Sequence, residues 1–152
     1  MKRFRYSLET VLDYKTQVLD NLKKEHAVML KNVNDKQEEI RQLNGELIEY
    51  EGSFDETKSM GASIESYLLF DMCIGRMKDQ IEQEEERLVI LKRKEEKKKG
   101  EVIDAKVDTS KFEKLKDKRL QEYRTAEQKE EEAFVEEFVI HNMIAEGLAY
   151  GR

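Results

Sequence analysis

The residues that could carry chemistry are few and lie far apart in the 152-residue sequence. There are two histidines, His26 and His141, and one cysteine, Cys73. Neither histidine has a second ligand at a spacing that zinc sites use. Cys73 sits beside Ile74 in an apolar stretch, which favours a packed or partner-facing residue over a reactive thiol. The sequence therefore predicts no metal site, no cofactor and no catalytic nucleophile.

The abundant carboxylates do not suggest an enzyme either. Asp and Glu together number 34, but a catalytic carboxylate pair needs a concave site to hold substrate. The chain also has no glycine-rich phosphate loop and no Ser–His–Asp arrangement. We therefore expect a protein that is not an enzyme.

The element that positions these residues is a long helix with a heptad seam. Spacings of four and three residues run from Leu8 to Phe54, and only Lys15, His26 and Lys36 in this series are polar. Such spacing is typical of a helix lying along another helix, and the absence of proline allows it to be long. The series comprises Leu8, Leu12, Lys15, Leu19, Leu22, His26, Met29, Val33, Lys36, Ile40, Leu43, Leu47, Tyr50 and Phe54.

A second seam starts at Met60 and runs to Phe112. It is weakest between Glu95 and Lys98, just before Gly100, and we expect looser packing there. Its members are Met60, Ser63, Tyr67, Phe70, Ile74, Met77, Ile81, Glu84, Leu88, Leu91, Glu95, Lys98, Val102, Ala105, Thr109 and Phe112.

Two seams joined by a short turn predict an all-α, antiparallel two-helix coiled-coil hairpin with a longer second helix. We expect a single domain over 1–152, with helix 1 at about 7–51, a turn at 52–62, helix 2 at 63–142 and a flexible tail at 143–152. Ser7 and Ser63 are the expected N-caps. A capping box at Ser110 and Glu113 could restart helix 2, but without Gly or Pro nearby we predict an unbroken helix.

Composition bounds the location and the partners. The net charge of −6 argues against general binding to nucleic acid or anionic membranes. There is no apolar run long enough for a membrane span, and one cysteine suits a reducing compartment. We expect a cytoplasmic chain that reaches the membrane only through a partner.

Apolar residues exceed what the seams need near both ends of the hairpin. Leu68, Leu69, Met72 and Cys73 are left over from the seam beside the turn, where they either pack on the turn residues Phe54, Met60 and Ile64 or form a binding patch. Phe4, Tyr6, Phe112, Leu115, Tyr123, Phe134 and Phe138 form a similar surplus near the termini.

Four stretches of the sequence resemble the flagellar FliJ family. They are the basic–aromatic start at 2–12, the apolar segment at 61–83, the Lys-rich run at 112–124 and the acidic segment at 127–142. The resemblance extends over the whole two-helix layout. It implies a non-enzymatic component of the flagellar type III export apparatus, peripherally placed at the inner face of the cell membrane at the flagellar base.

The resemblance also implies partners. By this resemblance the chain is a stalk-like coiled coil whose end with both termini would insert into the hexameric export ATPase. The turn end would contact the cytoplasmic domain of the membrane export gate. Export chaperones would be further partners. On the gate side we expect Tyr50, Tyr67, Phe70, Cys73 and Met77. On the ring side we expect Phe4, Lys111, Lys114, Lys118, Arg119 and Tyr123.

Two other functions fit the same residues. Heptad spacing does not reveal whether the partner helix belongs to the same chain, so a self-associating cytoplasmic scaffold is the main alternative to a chain that is monomeric when free. An acidic chaperone of secreted proteins is the other.

Overall fold

Two α-helices make up the computed structural model, which describes residues 1–151. The first, α1, spans Glu9–Met60, and the second, α2, spans Ile64–Tyr150. They pack against each other, and the described residues contain no strand. The predicted all-α hairpin with a longer second helix is confirmed.

The first helix extends well past its expected end near residue 51. It continues through Gly52 to Met60, over residues that the sequence had suggested as turn. The hydroxyl of Ser53 donates to the carbonyl of Glu49 (3.1 Å), and that of Thr57 donates to the carbonyl of Ser53 (2.8 Å). Because these polar side chains bond within the helix, they do not break it.

The turn is therefore only three residues long. Gly61 has a φ of +83°, the left-handed conformation that commonly follows the last helical residue. The Ser63 hydroxyl accepts the backbone N–H of Ser66 (3.3 Å), and the Ser63 carbonyl accepts that of Tyr67 (3.2 Å). The predicted N-cap at Ser63 is confirmed.

At the start of α1 the predicted cap differs from what is observed. The Glu9 N–H donates to the carbonyl of Tyr6 (3.1 Å), and the Leu12 N–H donates to that of Leu8 (2.9 Å). The helix begins at Glu9, and Ser7 lies in the turn just before it. Backbone carbonyls, rather than the Ser7 hydroxyl, accept these first N–H groups.

The second helix is unbroken through 108–110, as predicted, and runs beyond the expected end at residue 142. The expected tail at 143–152 is helical as far as Tyr150, and residue 152 lies outside the described part. No glycine occurs between Gly100 and Gly147, and the intervening residues are rich in good helix formers, so nothing local stops the helix.

The chain divides into two compact units, and the one with more residues is Leu19–Asp104. Its most buried apolar side chains, on both helices, retain only 6–8% exposure, and all of them are predicted seam residues. They are Leu19, Val33, Ile40, Ile74 and Ile81.

The other unit combines Met1–Val18 with Ala105–Arg152. Leu12 and Thr109 are buried there, and Tyr6 is buried with its hydroxyl donating to the carbonyl of Phe112 (3.0 Å). The residues ahead of α1 thus pack on α2. That 1–152 forms a single domain stays a prediction.

Candidate partner-binding surfaces

The residues with chemical potential are paired within the helix interface. The His26 ring Nε2 lies 2.7 Å from the Glu95 carboxylate, and both side chains are largely buried. His141 lies on an exposed face of α2. Within residues 1–151 no group of His, Cys, Asp or Glu could hold a metal ion. Pairing between the helices is therefore what His26 does here.

Lys36 and Glu84 form the most enclosed ion pair of the interface. Lys36 Nζ lies 2.6 Å from Glu84 Oε2, and the Glu84 side chain is only 7% exposed. Arg87 contacts the other oxygen at 2.7 Å. The hydrogen bond from Lys36 is the main reason why the pKa of Glu84 falls below its usual value. Hydrogen bonds to Glu39 and Glu84 raise the pKa of Lys36.

The weak part of the second seam is also filled by ion pairs. Lys98, only 18% exposed, lies 3.0 Å from Glu25 of α1 and 2.8 Å from Glu101 of its own helix. Glu95 is held by His26, as described above. The looseness expected from two adjacent polar seam positions is thus offset by charge pairing.

A comparable arrangement occurs in the unit that contains the termini. Lys15 Nζ lies 2.6 Å from the Asp108 carboxylate. The buried Thr109 hydroxyl bonds to the carbonyl of Ala105 (2.8 Å) and reaches that of Lys15 at 3.4 Å. Each polar residue in the seam of α1 therefore meets a polar group of α2.

The five residues expected on the gate side lie in or beside the helix interface near the turn. Tyr50 and Phe70 have ring centroids 5.2 Å apart, and Phe54, which the seam had included, stacks on Phe70 at 5.1 Å. The pKa of the Tyr50 phenol is raised, mainly because its O–H donates to the Cys73 sulfur and also because the phenol is partly buried. Tyr50, Tyr67, Phe70, Cys73 and Met77 are all half-buried.

The exposed apolar surface near the turn belongs to their neighbours. Leu68, Leu69 and Met72 are 63%, 57% and 52% exposed, so they do not pack under the turn. Met60 and Ile64, the residues expected to cover them, are even more exposed. In the sequence, the indication was that this region has more apolar residues than the seam needs. That left two alternatives open, packing on the turn residues or an exposed binding patch. We call Met60, Ile64, Leu68, Leu69 and Met72 the turn patch.

At the terminal end, Phe4 and Tyr123 lie together. Their ring centroids are 5.5 Å apart, and the Tyr123 hydroxyl donates to the carbonyl of Lys2 at 2.6 Å. Burial raises the pKa of Tyr123. The N-terminal residues are held against α2, and both aromatic residues expected on the ring side are half-buried.

The four basic residues expected on the ring side are exposed. Lys111, Lys114 and Lys118 make no ion pair within residues 1–151, and Arg119 reaches only Glu122, at 3.5 Å. Lys116 turns instead to Glu9 at 2.8 Å. Lys111, Lys114 and Lys118 share one face by their spacing, which gives α2 a free basic face.

Beyond this face, α2 has no partner helix within residues 1–151. Every residue from 128 to 151 is exposed. The sequence had singled out Phe134 and Phe138, but it missed the extent of the apolar surface, because the seam breaks after residue 112. The exposed apolar residues are Phe134, Val135, Phe138, Val139, Ile140, Met143, Ile144, Leu148 and Tyr150.

Comparison with known protein families gives a match over most of the chain. The family model described as "Flagellar FliJ protein" matches residues 4–148. No curated protein and no solved structure matches the chain. In the part of the chain that the structure describes, neither helix is long and apolar enough to cross a membrane.

Proposed function

The chain belongs to the FliJ family, whose members are non-enzymatic components of the flagellar protein export apparatus. On that premise we propose that it acts as a stalk-like coiled coil. Its terminal end binds the hexameric export ATPase, and its turn end binds the cytoplasmic domain of the membrane export gate. It works at the inner face of the cell membrane without inserting into it. Export chaperones are further partners.

The observation that carries the proposal is the unpartnered part of α2. All residues at 128–151 are exposed, and many of them are large and apolar. A helix with such a surface is stabilised by a groove or ring that covers it. The exposed cations Lys111, Lys114 and Lys118, which make no ion pair within residues 1–151, precede this segment and supply charge for the same partner.

The turn patch supports a second contact. Its five apolar side chains are all more than half exposed, and two of them are methionines, whose flexible side chains adapt to partner surfaces. We assign the gate contact to this patch together with the half-buried residues expected earlier, Tyr50, Tyr67, Phe70, Cys73 and Met77.

Charge reversal at the ring side tests the ATPase contact. We expect the double variant Lys118→Glu, Arg119→Glu to lose stimulation of the export ATPase and to keep its helicity by circular dichroism, because both side chains are exposed. Rates of ATP hydrolysis with purified ATPase and increasing amounts of chain give the readout.

The matched control is Lys23→Glu, Lys24→Glu, which makes the same charge change at exposed positions of α1. It should stimulate like the natural chain. Stimulation that survives in the Lys118, Arg119 variant would show that the ring side has been placed wrongly.

A further inference from the structure

Residues 92–99 of α2 include six basic side chains, and five of them have no ion-pair partner within residues 1–151. Lys98, the sixth, turns into the interface toward Glu25 and Glu101. The others make no ion pair within residues 1–151 and are exposed, namely Lys92, Arg93, Lys94, Lys97 and Lys99. Exposed charges are ordinary on a helix, but several others in this chain form ion pairs with a residue three positions away.

Exposed apolar residues accompany these cations. Val89, Ile90 and Ile103 are 47%, 51% and 51% exposed. Val89 shares one shallow groove with Lys92, Arg93, Lys97 and Glu96. We call residues 89–103 of α2 the basic stripe. A cationic surface with exposed apolar side chains among its charges suits a helix that has apolar residues between carboxylates.

The chain itself contains a helix of that kind. Residues 127–139, which we call the acidic segment, hold six glutamates and one lysine. Among the glutamates, Glu127, Glu130, Glu131, Glu132, Glu136 and Glu137, none makes an ion pair in the described part of the chain. Between them, Phe134, Val135, Phe138 and Val139 are 48–68% exposed.

We propose that the acidic segment of one copy docks on the basic stripe of a second copy. The two surfaces have opposite charge, each has exposed apolar residues, and each spans about 20 Å of helix. Both belong to one unbroken helix, and a helix cannot lay one of its segments against another. The complement therefore comes from another chain.

The contact is reversible and weakens with salt. Its charges are exposed, and the screening length falls to about 3 Å at 1 M salt. A dilute chain is then monomeric, and association grows with concentration. Because the segment that we assign to the export ATPase is also the docking segment, the contact would keep that segment covered until the ring displaces it.

The first test is sedimentation of the full chain over a wide range of concentrations. We expect the average mass to rise above the 18.0 kDa of one chain at low salt and to return to it at high salt. A mass that stays at one chain at every concentration and salt would overturn the proposal and leave the basic stripe to a different acidic partner.

Paired charge reversals then locate the contact. The stripe variant is Lys92→Glu, Arg93→Glu, Lys97→Glu, and the segment variant is Glu130→Lys, Glu131→Lys, Glu137→Lys. Each alone should stay monomeric, because like charges now face each other. Mixed together, the two variants should associate. The unchanged acidic segment of the stripe variant can dock on the unchanged basic stripe of the segment variant. The reversed segment, now basic, can likewise dock on the reversed stripe, now acidic.

The control for net charge is Lys24→Glu, Arg76→Glu, Lys106→Glu, which changes the charge equally at exposed positions outside both surfaces and outside the residues assigned to the ATPase and the gate. It should associate like the natural chain. A mixture that fails to associate would refute the proposal, as would a stripe variant that associates normally. Neutral variants, Lys92→Gln, Arg93→Gln, Lys97→Gln, give a milder test and should weaken association without loss of helicity. No ATPase enters these assays, so their failure would leave the proposed stalk function standing.

Discussion

Polar residues in the helix interface act in pairs across it. Lys36 meets Glu84, His26 meets Glu95, and Lys15 meets Asp108. A shift of either helix by one heptad would leave such charges against apolar residues, where an unpaired charge is costly. These pairs therefore fix the register of the two helices. The apolar seam residues alone would tolerate other registers.

At the residue scale, the Lys36–Glu84 pair predicts a pH dependence. The pKa of Glu84 is lowered in the folded chain, so its stabilising contribution is present above the ordinary value of 4.5 and is lost as pH falls through the folded pKa. We expect Glu84→Gln to unfold at lower urea than the natural chain at neutral pH, with the difference shrinking toward pH 3.

Urea titrations at the two pH values measure this. Glu82→Gln is the control, since this carboxylate is exposed on α2 and makes no ion pair within residues 1–151. A Glu84→Gln difference that is the same at both pH values would contradict a role for the charge of Glu84.

At the element scale, the sequence predicts the seams well. Every residue of the first seam is buried or half-buried, and so is every residue of the second seam after Ser63. Spacing suffices there because a helix that buries one face must place an apolar residue on that face every three or four positions. The pairing of Lys36 with Glu84 could also have been proposed from their opposite charges at polar seam positions.

The turn was harder to locate, because glycine is an ambiguous signal. Gly52 and Gly61 look alike in the sequence, yet Gly52 lies inside α1 and only Gly61 has positive φ. What separates them is the packing of Phe54 on Tyr67 and Phe70, a tertiary contact that holds the last turns of α1 in place. Likewise, which apolar residues near the turn stay exposed depends on how these rings pack.

The two glycines give a matched pair of predictions. We expect Gly61→Ala to destabilise the chain by about 1–2 kcal/mol, because alanine is strained in the left-handed region. Gly52→Ala should stabilise it by about 0.5–1 kcal/mol, since the position is helical and nothing lies within 4 Å of an added Cβ. Urea unfolding at neutral pH measures both. Equal effects of the two substitutions would show that the turn has been assigned incorrectly.

At the scale of the whole molecule, two separate surfaces should give separable losses. We expect Leu68→Glu, Leu69→Glu to lose binding to the cytoplasmic domain of the export gate while still stimulating the export ATPase, because both changes lie in the turn patch. Lys118→Glu, Arg119→Glu should show the opposite pattern. Binding to the purified gate domain and ATP hydrolysis are the two readouts.

The control for the turn patch is Ile48→Glu, which puts a charge on an exposed apolar position of α1 away from that patch. It should keep both activities. If Leu68→Glu, Leu69→Glu lost both together, a general defect rather than a gate-specific surface would explain the result. Partners of this kind could not be read from spacing, because an exposed side chain shows only that a surface is free.

The three-residue turn also has a kinetic consequence. Residues that contact each other across the two helices close to the turn are near in sequence. By contrast, Lys36 and Glu84 are 48 residues apart, and Lys2 and Tyr123 are 121 apart. Because closing a longer loop costs more entropy, pairing should begin at the turn and spread outward. We expect pulsed hydrogen exchange during refolding to show protection of amides near residues 54 and 70 before those near residues 12 and 109, and simultaneous protection would contradict this order.

During synthesis, the first helix leaves the ribosome long before its partner exists. Its seam is then uncovered in the nascent chain, a period in which a chaperone or another nascent chain could bind it.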